Sequence, residues 1–339
     1  MNSNHQSIGE LKQGDSIRAF YVIRKLELKT KKDGQPYLSL EFGDATGRIP
    51  GTLWTQANEM YEQLSVGTIA RVLGSVSVFN DNLQLTIERI RPALPDDHVS
   101  PVDYIPRKNI DFDYLQKQFL EILKSIKESD LQKLLQLVFN DEFIKKYTQA
   151  PGGKLWHHAY VGGLLEHTLS IIQICETMAK KYDKINRDLL ITGAIFHDVG
   201  KLEEYTYENG FIDFTDEGRL WGHISMGAQW LRQWIESLEK TSGFSLDMKR
   251  QLIHLVLSHQ GQLDHGSPVT PKTLEAMVLY YADEMDSKAN ALDHILDRDQ
   301  EPGRKWSKFI PLLDRFIYLG DSESEETNEN EEPKDDLFS

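Results

Sequence analysis

Four prolines between Arg91 and Pro106, in the stretch RPALPDDHVSPVDYIP, separate two regions whose hydrophobic periods belong to different secondary structures. From Ser16 to about Ala93, apolar residues alternate with polar ones in SIRAFYVIRKLELKT, YLSLEF, GRIPGTLW, TIARVLGSVSVF and LQLTIERI. A period of two is that of a strand with one buried face, and Asp33-Gly34, Thr46-Gly47 and Asn80-Asp81-Asn82 supply the turns between runs. From Asp111 onward the spacing becomes three and four, in FDYLQKQFLEILKSI, LQKLLQLVF, LLEHTLSIIQICETM, DLLITGAIF, GAQWLRQWI, KRQLIHLVL and TLEAMVLYYADEM, the mark of helices with one buried stripe.

Five strands with a short helix, Gln56 to Leu64, between the third and fourth follow the order of an oligonucleotide/oligosaccharide-binding (OB) barrel. The expected fold is therefore multidomain. An N-terminal all-β OB barrel occupies residues 1–95 and a linker 96–110; an all-α bundle follows over 111–320, then an acidic disordered tail over 321–339.

Composition narrows the function classes. At 339 residues the chain is long enough for two buried cores, and its single cysteine, Cys175, lies in an apolar helical run. Neither a disulfide framework nor a thiolate metal cluster can be built from it, and a reducing cytoplasm fits best. No window approaches the ~20 apolar residues of a membrane span, and the polar start MNSNHQSIGE lacks the hydrophobic core of a secretory signal. The expectation is a cytoplasmic protein with no membrane partner. The net charge of −15 argues against a polyanionic partner until its distribution is considered: −8 of it falls in Asp321–Ser339. Residues 1–95 carry +1, with Arg24, Lys25, Lys29, Lys31 and Lys32 close together.

The helical region carries the chemistry. His167, His197-Asp198, His223, His259 and Asp283 are separated by 30, 25, 36 and 24 residues, which suits one contribution per helix or helix pair, all projecting into a bundle interior. Imidazole and carboxylate together suit Mn, Fe, Co, Ni or Zn ions, and a carboxylate can bridge two ions where an imidazole cannot. Neither HExxH nor HxxEH occurs, which removes the common zinc-protease readings.

The strings HHAYVGGLLEHTL, HDVGK, GH, SHQG followed by GSP, and YYADEMDSK are similar to those of the histidine–aspartate (HD) domain 3′→5′ exoribonucleases of the YhaM type. Those proteins also place an OB-like domain ahead of the HD domain, so the likeness covers roughly residues 8–320. The resemblance implies that His167, His197, Asp198 and Asp283 hold one metal and that Asp198 bridges to a second held by His223 and His259. It implies manganese, with Co²⁺, Fe²⁺, Ni²⁺ and Mg²⁺ as the other ions. One departure stands out: where the family has two adjacent histidines, this chain has His259-Gln260.

Two cations of this kind clamp phosphoryl oxygens and bring the pKa of a water toward neutrality for in-line attack, so no protein nucleophile is needed. Asp198 and Lys201 are then the catalytic candidates, Lys201 as a cation against the phosphate; an ordinary surface lysine after a helix end is the competing reading. His157 and His158 either contact substrate phosphate or cap and pack a helix start. Asp286 shares the helix face of Asp283 and reads as a support or ion-pair residue, with Lys288 as a partner, and His254 as a satisfied core histidine. In the barrel, alternation turns Leu38, Leu40, Phe42 and Leu53 inward and leaves Tyr37 and Trp54 outward. With the basic cluster these form a stacking platform for single-stranded bases, unless Trp54 packs under the short helix or the second domain.

The expected activity is a metal-dependent 3′→5′ exoribonuclease that shortens single-stranded RNA, with single-stranded DNA as a second candidate, to 5′-mononucleotides. Its rivals are an HD phosphohydrolase of cyclic dinucleotides or free nucleotides and a non-catalytic nucleic-acid-binding protein. A homo-oligomer stays open.

Overall fold

Alternation in the N-terminal strands has a direct outcome in space. β1 (Ser16–Thr30), β2 (Pro36–Gly43), β3 (Arg48–Leu53), β4 (Ile69–Phe79) and β5 (Asn82–Pro92) close into a barrel in the order β1-β2-β3-β5-β4, with α1 (Ala57–Gln63) between β3 and β4. This is the OB topology, in which each strand pairs along part of its length with a neighbour on either side. The computed structural model describes residues 6–80, 82–106, 111–154, 157–299, 303–311 and 313–320; the acidic tail expected over 321–339 and the linker's last four residues, 107–110, lie outside them.

β1 serves both sides of the barrel: Ser16 to Val22 pair with β4 and Val22 to Thr30 with β2, and a register shift between Ile23 and Lys25 turns the strand from one to the other. Its inward residues Ile17, Ala19 and Tyr21 meet Leu38, Leu40, Phe42, Leu53, Val72 and Leu85 in one buried cluster. Truncating Phe42 or Leu38 to alanine there would cost about 3 kcal/mol, the usual scale for a large-to-small core change.

The stretch expected as a linker is ordered where it is described. Pro95–Asp97 and Pro101–Tyr104 form single 3-10 turns, and both carboxylate oxygens of Asp97 accept from the Arg91 guanidinium at 2.7 and 3.0 Å. Tyr104 is buried with Val22, Ile69 and Phe211, so barrel, connector and helical region share a small apolar cluster. Proline ends the periodic pattern but does not prevent the apolar residues around it from packing.

The helical region contains α2 (Phe112–Ser125), α3 (Ser129–Val138), α4 (Asp141–Gln149), α5 (Gly163–Lys181), α6 (Arg187–Phe196), the single turn α7 (Lys201–Glu204), α8 (Asp216–Thr241), α9 (Leu246–Ser258) and α10 (Leu274–Asp299). Two short strands, β6 (Tyr205–Thr206) and β7 (Asp213–Phe214), pair between α7 and α8. α6 is apolar on nearly every side, and every residue from Leu189 to Phe196 is buried; it packs between α5 and α9 at the centre of the core. It starts sharply because Asn186 Oδ1 accepts from the Leu189 N–H at 3.1 Å. No helix among the described residues is long and apolar enough to cross a membrane.

The described residues up to Asp286 form one compact unit and those from Ser287 to Gly320 a second, so α10 begins in the first and ends in the second. Within the second unit, Trp306 pairs with Tyr318 and Ile310 with Arg315 in antiparallel bridges.

Candidate metal centre

The buried helix α6 ends at Phe196, and the next two residues are the His197-Asp198 pair. His197 turns back on its own helix, donating from Nδ1 to the Ala194 carbonyl at 2.7 Å. His259, just past the end of α9, donates in the same way to the Val256 carbonyl at 2.7 Å. Each ring satisfies a carbonyl that a helix end leaves without an intrahelical partner. A carbonyl can only accept, so the proton is fixed on Nδ1 and the Nε2 lone pair is left for something else.

The other two imidazoles are held in the same sense by carboxylates. His223 Nδ1 and its backbone N–H both reach Glu204 Oε1, at 2.9 and 3.0 Å. His167 Nδ1 lies 2.7 Å from Asp286 Oδ2. The backbone makes this close approach possible: at Gly200, a Cβ would stand 2.0 Å from the His223 carbonyl oxygen. Gly222 (φ 70°) breaks α8 immediately before His223, giving the kink that aims the ring inward.

The four Nε2 atoms converge on one carboxylate from two sides. Asp198 Oδ2 is 3.5 Å from His167 Nε2 and 3.2 Å from His197 Nε2, while His167 Nε2 is 3.2 Å from Asp283 Oδ1. Asp198 Oδ1 is 3.3 Å from His223 Nε2 and 3.5 Å from His259 Nε2. His167, His197 and Asp283 therefore form one group that could hold an ion, and Asp198, His223 and His259 another. The fit to cations rests on two buried ligand atoms that make no hydrogen bond among the described residues, Asp198 Oδ1 and His259 Nε2. Buried acceptors of this kind are costly unless something positive meets them.

Electrostatics agree with this. Burial by itself would raise the Asp198 carboxyl, but Lys201, His197 and His167 around it hold it well below the ordinary carboxylate range. Asp283 is likewise lowered, His167 outweighing the effect of burial. Burial works against a charged His167, yet Asp198, Asp283 and Asp286 together raise its imidazole well above the usual value. His259, facing fewer anions, is pushed down by its burial.

The six expected ligands thus lie together, and behind them Asp286 Oδ2 lies 2.7 Å from His167 Nδ1, where His158, His167 and Asp286 make a third group close enough to hold an ion. Lys201 is not a surface residue: it is 6% exposed, its Nζ lies 2.6 Å from Asp198 Oδ2, and it donates to the Gly152 carbonyl at 2.7 Å. Burial lowers its pKa, but Asp198 more than compensates and the net shift is upward. His158 departs from the expectation that it touches substrate. It is 1% exposed, with Nε2 2.9 Å from Asp286 Oδ2 and Nδ1 3.0 Å from the Tyr160 hydroxyl and 3.2 Å from Glu166, so both ring nitrogens are spent on the scaffold. His157 is half-buried beside His167, and burial followed by Lys201 lowers its pKa to about 3. His254 accepts from the Lys272 N–H at 2.9 Å, a structural use. Gln260 sits at the rim of the second group with its amide nitrogen 3.4 Å from His223 Nε2.

Glu204 was not visible in the sequence pattern. A lone glutamate nineteen residues before a histidine carries no spacing signal, and only the fold brings it under the His223 ring.

In the barrel, the Tyr37 and Trp54 rings stack at 5.0 Å, with Trp54 46% exposed and the Lys31 ammonium 5.0 Å above it. The basic cluster is thinner than its sequence suggests. Arg24 has a nearly buried side chain packed over Phe211 at 4.6 Å, Lys25 pairs with Glu41 at 3.3 Å, and Lys29 pairs with Glu27 at 2.7 Å. Arg24 is thereby removed from the expected surface patch, because a strand's outward face here meets the helical region instead of solvent.

Residues 164–288 match the family model described as the HD domain, and residues 22–93 match the one described as an OB-fold nucleic acid binding domain. The 3′-5′ exoribonuclease YhaM of Oceanobacillus iheyensis is 31% identical over 319 residues, covering 92% of this chain and 96% of its own. That of Bacillus subtilis is 28% identical over 307 residues, covering 90% of this chain and 95% of its own.

Proposed function

We propose, for a chain that belongs to the YhaM-type family of 3′-5′ exoribonucleases, that it removes nucleotides one at a time from the 3′ end of single-stranded RNA. The products are 5′-mononucleotides, and single-stranded DNA is a second substrate. The observation that carries this reading is the convergence of four Nε2 atoms on the two oxygens of the buried Asp198.

His167, His197, Asp198 and Asp283 would hold one divalent ion, and Asp198, His223 and His259 a second, with Mn²⁺ the ion of choice. Such ions supply Lewis-acid activation of a water and neutralise charge on the phosphoryl oxygens. The protein's own contribution is geometric and electrostatic. Asp286 and Glu204 lock the His167 and His223 rings, and His158, through Asp286, positions rather than touches substrate. Lys201 keeps its proton at Nζ and places a buried cation beside Asp198, where it can meet phosphoryl charge that grows as the bond to the leaving oxygen breaks. The barrel holds the strand by stacking bases on Tyr37 and Trp54 while the 3′ end enters the helical region.

The test is to incubate the purified protein with 5′-labelled single-stranded RNA and DNA, with and without Mn²⁺. A metal-dependent ladder shortening from the 3′ end, with mononucleotides released, is expected. Hydrolysis confined to cyclic dinucleotides or free nucleotides would contradict the reading, as would no hydrolysis with any divalent ion.

A further inference from the structure

The barrel has a second face that the stacking pair does not use. Across β1, β4 and β5 the register aligns two neighbouring rungs: Arg18 lies opposite Leu73 and Leu73 opposite Arg89, while Phe20 lies opposite Arg71 and Arg71 opposite Arg91. Ile17, Ala19, Val72 and Ile90, which alternate with these residues, are buried in the barrel, so the two rungs point outward. Neighbouring strands are ~4.8 Å apart and these rungs ~7 Å apart, which sets four guanidinium groups and two apolar side chains on one small rigid sheet surface. Arg18, Arg71, Leu73, Arg89, Ile90 and Arg91 line a depression of about 350 Å³ there.

Charge on this face is unbalanced. Asp97 takes up Arg91 through both of its oxygens. Arg18, Arg71 and Arg89 make no ion pair among the described residues. Arg71 instead has its guanidinium carbon 5.7 Å from the Phe20 ring centroid, within cation–π range. Arg71 shares the field of Asp97 with Arg91, while Arg18 and Arg89 have no ion-pair partner among the described residues, so like charges on this sheet repel one another in a chain whose net charge is −15. An anion that binds between them relieves that repulsion.

We propose that this face is a second binding surface for the phosphodiester backbone of single-stranded nucleic acid, with Arg18, Arg71 and Arg89 as its phosphate contacts. The inference rests on the reading of the barrel as the strand-holding domain. Backbone phosphates, spaced along a chain and accepting bidentate guanidinium contacts, match separated arginines better than a single small anion would. Tyr37 lies on β2 and Trp54 just after β3, whereas β4 stands across the barrel from both in the order β1-β2-β3-β5-β4. A short oligonucleotide can occupy the stacking face alone. A long strand that continues around the barrel meets the arginine face as well and is held by both.

The experiment measures equilibrium binding of ~30- and ~6-nucleotide single-stranded RNA to the full chain in EDTA, over a range of salt concentrations, since one OB fold covers ~4–16 nucleotides. The triple variant R18Q/R71Q/R89Q should bind the long RNA at least about fivefold more weakly, and its slope of log affinity against log salt should be shallower by about 2, at ~0.7 per phosphate contact. Binding of the short RNA should be unchanged, and R18K/R71K/R89K should keep most of the salt slope. Unchanged affinity of the triple glutamine variant for long RNA would overturn the proposal. Equal losses for short and long RNA, or equal losses in the lysine and glutamine variants, would also overturn it. So would displacement of long RNA by polyglutamate as effective as displacement by unlabelled RNA, since the face would then take any polyanion. If the unaltered chain bound neither RNA, the reading of the barrel itself would have failed, an outcome separate from these.

Discussion

The barrel and the helical region keep their candidate functional side chains in opposite places. His167 and His197 are 0% exposed, His259 1% and Asp198 2%, whereas Trp54 of the barrel is 46% exposed. Burying imidazoles and carboxylates together is unfavourable unless each polar atom is met by a partner, so their placement at the core leaves few explanations other than ion binding. An aromatic ring on a barrel surface costs little whether or not anything stacks on it. The candidate site of the helical region is thus marked by burial, and that of the barrel by an exposed stack of Tyr37 with Trp54.

The largest effect that can break this contrast lies at Asp198. Asp198→Asn keeps the shape but removes the charge shared by both donor groups, and hydrolysis should fall by about a thousandfold or more. The buried Lys201 loses its counter-charge, so the variant should also be destabilised by about 3 kcal/mol while keeping its helical circular dichroism. Near-normal turnover would mean that the burial of these groups serves the core alone.

Metal uptake should also depend on pH. His167 must lose a proton to bind an ion, and its carboxylate neighbours raise its imidazole well above the usual value despite burial. Below that raised value, apparent Mn²⁺ affinity should rise about tenfold per pH unit and then level off, with proton release visible by calorimetry in buffers of different ionisation enthalpy. The sign for stability is opposite in the metal-free chain. A raised folded value stabilises below the unfolded imidazole range, and that contribution is lost as pH rises through the folded value. Affinity that does not change with pH would remove His167 from the ligand set.

A smaller effect is expected where the helical region depends on supports. Glu204→Gln leaves an acceptor on the His223 ring but weakens it, and should lower activity or metal affinity about 10–100-fold. On the barrel side, replacing Tyr37 and Trp54 with alanine should raise KM for single-stranded RNA about tenfold while changing kcat far less, on the scale of ~1–3 kcal/mol per stacked base. A fall in kcat equal to the rise in KM would place these rings in the chemistry and dissolve the contrast. The smallest change belongs to Gln260→His. With His223, His259 and Asp198 already in place, the added imidazole should alter the rate by less than about tenfold. Conversion of an inert chain into an active one by that substitution would show that Gln260 marks a degenerate site.

The sequence made the two kinds of region legible because hydrophobic period survives the details of packing. The strands, the short helix at Ala57–Gln63 and the barrel order follow from alternation and turns, and the buried α6 follows from an apolar run too uniform to face solvent. The donor set was legible because histidines and aspartates recur one per helix in a recognisable order. Positions where orientation depends on a neighbour distant in the chain were not. Arg24 alternates outward, yet the surface waiting there is Phe211, and His158 lies beside a motif histidine but turns into Asp286 and Glu166. Glu204 has no pattern of its own, and the four arginines of the outer face come together only through strand register.

The central claim, that one buried carboxylate divides this donor set into two ion sites, is tested most directly by counting metals per chain. Chains reconstituted with Mn²⁺ and passed through a desalting column should retain about two ions each; His259→Ala should retain about one, and Asp198→Asn fewer than one. About two ions in all three proteins would contradict the claim, as would a single ion in the unaltered chain that His259→Ala leaves in place.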